Sequence, residues 1–121
     1  MLIRIVMLLS LSFLSPLVSA KGIEDSTPEQ RAGIQTAFMK AHLQLTPDQL
    51  KKIEALNLKY AQQMEPILKG SDGFLAKRSK AQAVMTLKDK ELSAVLSQEQ
   101  FKSYDDLKDD LKDAVNEQLS K

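Results

Sequence analysis

The sequence predicts an all-α fold, an elongated antiparallel arrangement of four helices, and three observations predict it. After residue 20 no stretch alternates apolar and polar residues as a strand would, and Ala, Leu, Lys, Gln and Glu dominate. Apolar residues recur at three- and four-residue steps, the spacing of one helix face. Finally, LTPDQL at 45–50 is nearly repeated as LSQEQF at 96–101, and each copy is written like a helix start.

Met1–Ala20 precedes the helical part. Arg4, an apolar run from Ile5 to Val18 and the small residues Val18-Ser19-Ala20 read as a secretory signal peptide cleaved after Ala20. The alternative, a retained anchor, fits less well, because the run is broken by Pro16 and falls short of the roughly 20 residues a bilayer needs. Residues 21–26 are expected to be a flexible N-terminal segment, and 27–121 a single helical domain.

The first helix should run from about Pro28 to His42, with Ile34, Phe38 and Ala41 on one stripe. The second starts at Pro47 and carries Leu50, Ile53, Leu56, Tyr60, Met64 and Ile67 in helical register; Pro66 should end or kink it. Gly70-Ser71-Asp72-Gly73 is a turn signal. The third covers about Phe74 to Val95, and its apolar positions (Ala81, Val84, Met85, Leu87, Leu92, Val95) span a wide arc, as for a helix touching two neighbours. The fourth runs from Gln98 to about Leu119 with a narrow seam of Phe101, Tyr104, Leu107, Leu111, Val115 and Leu119, suited to packing along one partner helix, in the same chain or another. Short connections imply antiparallel neighbours. So elongated a small chain would leave apolar stripes exposed, which favours a homodimer or a surface meant for clients.

Each copy of the repeated phrase satisfies the requirements of a helix start. Thr46 is a good N-cap, Pro47 suits the first helical position, and Gln49 can return to the cap's N–H; Leu45 and Leu50 are placed to staple the entry. Ser97, Gln100, Leu96 and Phe101 take the same roles in the second copy. Thr27-Pro28-Glu29-Gln30 is a weaker third copy without the staple.

Composition narrows the chemistry. There is no cysteine, so disulfides, a thiolate site and a lipid-modified cysteine are excluded. Without Arg4 the basic and acidic residues balance, whereas a nucleic-acid binder would be strongly basic; no nucleic acid is expected. The charges are uneven along the chain. Lys69–Lys90 holds six basic residues against Asp72 and Asp89, while Ser97–Lys121 holds seven acidic residues against four lysines. These can be two solvated faces, or a basic surface for a partner. A single histidine, His42, gives no acid–base–nucleophile constellation, so no enzyme activity and no cofactor are expected. Met39 and His42 share a helix face that could hold a soft cuprous ion, which leaves a metal-responsive periplasmic protein as a weaker alternative, but two ligands define no metal geometry. The run Asp105, Asp106, Asp109, Asp110 and Asp113 lacks the turn glycine of a calcium loop. Met39, Met64 and Met85 fall at core spacing, although methionines can also give a surface that adapts to clients.

The two Leu-(Thr/Ser)-x-x-Gln boxes, behind a signal peptide and bracketing one long helical hairpin, resemble the LTxxQ family of periplasmic proteins, the Spy/CpxP-like group. LQLTPDQLKKIEALNLKYAQQM and DKELSAVLSQEQFKSYDDL carry the likeness. The resemblance implies a periplasmic protein that dimerises into a thin curved cradle and holds unfolded or partly folded clients without ATP. It alternatively implies a regulatory module docking on a membrane stress sensor's periplasmic domain. Leu45, Thr46, Gln49, Leu96, Ser97 and Gln100 would then be structural signature residues. Met64, Met85 and the Lys77, Arg78 and Lys80 region would be candidates for client binding. The chain departs from the family in its neutral balance and in having Ser97 where the box has threonine.

Overall fold

Three helices begin in the same way. Thr27, Thr46 and Ser97 hold extended backbone, and the hydroxyl of each accepts from the N–H of the glutamine three residues on. The side-chain oxygens of Gln30, Gln49 and Gln100 accept in return from the cap N–H at 2.9–3.0 Å. Two orphan donors are thereby satisfied at each start. The computed structural model describes residues 22–121, so the leader expected at 1–20 lies outside the described residues. It comprises α1 (Pro28–Leu43), α2 (Pro47–Leu68), α3 (Phe74–Val95), α4 (Gln98–Asp106) and α5 (Lys108–Leu119), preceded by a 3-10 turn at Ile23–Asp25. The fold is all-helical, with no strand among the described residues.

α1 lies antiparallel to α2, since Arg31 near its start reaches Glu65 and Thr36 meets Asn57. α2 and α3 form the long hairpin, joined by residues 69–73. α4 leaves the open end of the hairpin, and α5 returns along α1 to the 3-10 turn. The core is Met39, Leu43, Ile53, Leu92, Leu96, Tyr104, Leu111, Val115 and Leu119, with Leu45 and Phe101 packed on it. It runs from the open end of the hairpin along α1 and α5 towards the 3-10 turn.

Pro66 does not stop α2 at once. The helix continues to Leu68 and closes with the Lys69 N–H donating to the Glu65 carbonyl at 3.0 Å. The turn then passes so close to the helix that a Cβ at Gly70 would lie 2.8 Å from the Pro66 carbonyl oxygen, which makes glycine the residue that fits.

The structure corrects two expectations, on the fourth helix and on the arc of α3. Ahead of α1, the 3-10 turn leads into Ser26, which is fully buried. The cause is the buried Arg31, whose guanidinium needs acceptors and takes the Ser26 carbonyl and hydroxyl, each at 2.9 Å. The single fourth helix is two, broken at Leu107, whose N–H is shared between the Ser103 and Tyr104 carbonyls. α4 touches both α1 and α3, and Tyr104 and Lys108, on either side of the break, both bond to Asp89 on α3; the rest of α5 packs on α1. The wide arc of α3 is covered only near its C-terminal end. Leu92 is buried, Val84 and Met85 are half-buried, and Leu87 is exposed.

Candidate functional site

The repeated boxes are 51 positions apart in sequence and in contact in space. Gln49 Nε2 donates to Gln100 Oε1 at 2.7 Å, and Gln100 Nε2 donates to Gln49 Oε1 at 3.1 Å. Each amide also reaches the end of the helix that precedes the other box. Gln49 donates to the Val95 carbonyl at 3.1 Å, and Gln100 to the Leu43 carbonyl at 3.1 Å. Gln44, between α1 and the first box, sits in the left-handed region with φ 50° and ψ 56°, and its carbonyl lies 3.4 Å from Gln100 Nε2.

This arrangement needs an amide. Each Oε1 accepts twice, from its own cap and from the opposite glutamine, and each Nε2 donates across the junction. A glutamate would satisfy the cap equally well but has no proton to give. The capping box therefore accounts for half of each glutamine, and the clasp between them for the other half. Around the clasp, Leu96 is buried, Leu45 and Phe101 pack on the core, and Leu50 lines the groove between α1 and α2. All eight box residues thus gather at the open end of the hairpin.

The other candidates lie towards the opposite end. Met64 and Met85 are half-buried on the α2–α3 hairpin, while Met39 is in the core. Lys77 donates through Nζ to the Leu68 carbonyl at 3.1 Å, and Lys80 pairs with Asp72. Arg78 is exposed and pairs with no carboxylate among the described residues. The Lys80 ammonium hydrogen-bonds Asp72 and holds its carboxyl below the usual carboxylate range. Phe74 and Leu75, which open α3, are 74% and 77% exposed. Met39 and His42 diverge: Met39 accepts a long contact from Asn57, while His42 stacks on Phe38 at the surface. No group of three metal-ligating side chains occurs among the described residues.

Between the two ends runs a seam of buried polar groups. Lys88 is 2% exposed, and its ammonium donates to Gln35 Oε1 at 2.8 Å. Burial pushes its pKa down from 10.5 to about 8. Asn57 is fully buried; its amide donates to Thr36 at 2.9 Å, and its side-chain oxygen has no partner among the described residues. Arg31 pairs with Glu65 at 2.8 Å, and its hydrogen bond holds the Glu65 carboxyl below its ordinary pKa. On the α2–α3 side, hydrogen bonds from Tyr60 and Lys59 to Glu91 lower that carboxyl likewise.

The sequence signal for Lys88 was its place among Val84, Met85 and Leu92, a charge inside an apolar stripe. Asn57 carried the same signal between Ile53 and Tyr60. Arg31 and Ser26 carried none, because their pairing joins a helix to the segment before it.

No curated protein and no solved structure matches the chain. One family model, described as a Domain of unknown function (DUF4890), matches residues 19–104. The match takes in the turn, α1, α2, α3 and both glutamines of the clasp, and stops short of α5. The chain belongs to the DUF4890 family.

Proposed function

We propose that this is a periplasmic, ATP-independent holdase of the LTxxQ, Spy/CpxP-like kind, in which the flank of the α2–α3 hairpin holds apolar segments of unfolded clients. One observation carries the reading: no residue from Gln62 to Leu87 is buried, although Met64, Ile67, Leu68, Val84 and Met85 line this stretch half-covered and Leu87 lies exposed. Two helices alone cannot cover their facing stripes, so apolar surface stays available. Methionine side chains at such a surface adapt to differently shaped partners. Lys77, Arg78 and Lys80 would steer acidic client segments towards it. In this proposal two copies pair into the curved cradle that the resemblance implies, doubling the flank presented to one client.

Light scattering of a reduced or denatured client, without nucleotide, tests the reading, with the protein's oligomeric state measured alongside. Equimolar protein should suppress aggregation, and Met64→Gln with Met85→Gln should weaken suppression several-fold while leaving the helical content intact, both sites lying outside the core. Scattering unchanged at several-fold excess would end the holdase proposal. Saturable capture of a single sensor domain, without general suppression, would replace it with the regulatory module.

A further inference from the structure

We propose that the tip of the α2–α3 hairpin docks on an anionic phospholipid surface, with Phe74 and Leu75 entering the headgroup region and Arg78 and its neighbouring lysines meeting the phosphates. The two most exposed large apolar side chains among the described residues are adjacent in sequence and open the same helix. In a first helical turn the Cα–Cβ bonds tilt towards the N-terminus, so both side chains lean outward along the hairpin axis. Lys77 and Arg78 follow Phe74 by three and four positions and share its face. From Lys69 to Lys80 the tip holds four basic residues against Asp72 alone.

The shape of the tip favours a lipid surface over a protein. Two shallow grooves flank α1, one beside Leu50 and Ala55 of α2 and the other beside Ala114 of α5, away from the tip. At the tip itself, residues 71–76 are all exposed and form a projection. A projecting apolar pair offers a rigid partner little area, whereas a fluid interface closes around it, and basic residues beside it gain from the negative surface potential. The N–H groups of Phe74, Leu75 and Ala76 add uncapped donors, since Gly73 supplies no side-chain cap and the first backbone bond of α3 is from Lys77 to Gly73. Charge also sets the orientation. Asp106, Asp109, Asp110 and Asp113 are exposed on α4 and α5 and are repelled by the same surface, so the molecule approaches tip first. The inference shares its basic residues with the proposed steering of clients, but its apolar anchors, Phe74 and Leu75, lie outside the flank that holds them.

The chain contains no tryptophan, so one placed at the tip reports on the tip alone. Phe74→Trp in the full chain is mixed with vesicles containing phosphatidylglycerol, with or without brominated acyl chains, and with phosphatidylcholine vesicles. The expected result is a blue-shifted emission, quenched by the bromines, on the anionic vesicles only. Adding Arg78→Gln should weaken partitioning about fivefold, the effect of one basic charge near such a surface. About 0.5 M salt should release the tip by screening. Ser103→Trp, on the exposed face of α4, should stay unquenched. Three outcomes overturn the proposal: no shift at position 74 on anionic vesicles, equal shift on neutral ones, or equal quenching at position 103. The last would place contact elsewhere in the chain. Client suppression by Phe74→Asp with Leu75→Asp, measured without vesicles, should match the wild type; a loss would show that the tip belongs to the client surface instead.

Discussion

At the open end of the α2–α3 hairpin four helices meet, and nearly every apolar side chain is covered. At the other end the same two helices run on alone, and none is fully buried. The residue types hardly differ: Val84, Met85 and Ile67 would suit the core as well as Leu92 and Ile53 do. The difference is whether a third helix is present. α1 begins at Pro28 and reaches no farther along α2 than Glu65, and α4 turns away at Leu107. Burial is therefore assigned by the lengths of neighbouring elements, and an apolar stripe alone does not say which half of it will be core.

Equivalent side chains cut at the two ends should differ most in cost. Leu92→Ala should cost about 3 kcal/mol, because Leu92 is fully buried and a cavity remains. Val84→Ala should cost no more than about 1 kcal/mol. Urea unfolding measures both, and equal costs would mean that the hairpin tip is packed as tightly as the open end.

Lys88 tests the boundary between the two regions. Its folded pKa of about 8 lies below the unfolded value of 10.5, so between those pH values the unfolded chain holds more protons. Stability should therefore rise with pH from about 8 upward. Above about 10 the slope should turn over, because Tyr60, through its bond to Glu91, and Tyr104, through burial and the charge of Asp89, are both held protonated by the fold. Lys88→Met should remove the rise and stabilise the protein at pH 7 by up to about 3 kcal/mol, less whatever Gln35 loses. Denaturation at a series of pH values checks it; a wild type flat from pH 8 to 10 contradicts a buried, destabilising ammonium.

The smallest effect separates the cap from the clasp. Gln49→Glu or Gln100→Glu should each cost about 2 kcal/mol, since the carboxylate keeps the cap bond but faces an acceptor across the junction. Gln30→Glu should change stability by less than about 0.5 kcal/mol, because Gln30 makes only its own capping box. If all three behave alike in thermal unfolding, the contact between the two boxes contributes nothing beyond capping.

Much of the fold was legible in the residues. The caps at Thr27, Thr46 and Ser97 obey local chemistry, so the starts of α1, α2 and α4 could be read three residues at a time. The turn at 69–73 was legible for the same reason. The break at Leu107 was not, because the seam from Phe101 to Leu119 keeps helical spacing across it, and the contacts of Tyr104 and Lys108 that flank the break go to Asp89 on another helix. The burial of Ser26 depends likewise on Arg31 and on α2. Of the candidate site, the identity of the box residues was readable, but their meeting was not. A capping box accepts Glu or Gln alike, and only the second box, across the hairpin, discriminates between them.

The clasp has a consequence for length. α2 and α3 each span 22 residues, and it is their equality that sets the two boxes side by side. One extra residue in a single arm would rotate its box by about 100° and shift it by about 1.5 Å, parting the glutamines. Seven residues added to both arms would restore the register and carry the tip about 10 Å farther out. The open end thus acts as a gauge that checks the two arms against each other and leaves their common length free. Within such a design the reach of the hairpin can be changed without touching the core that holds it.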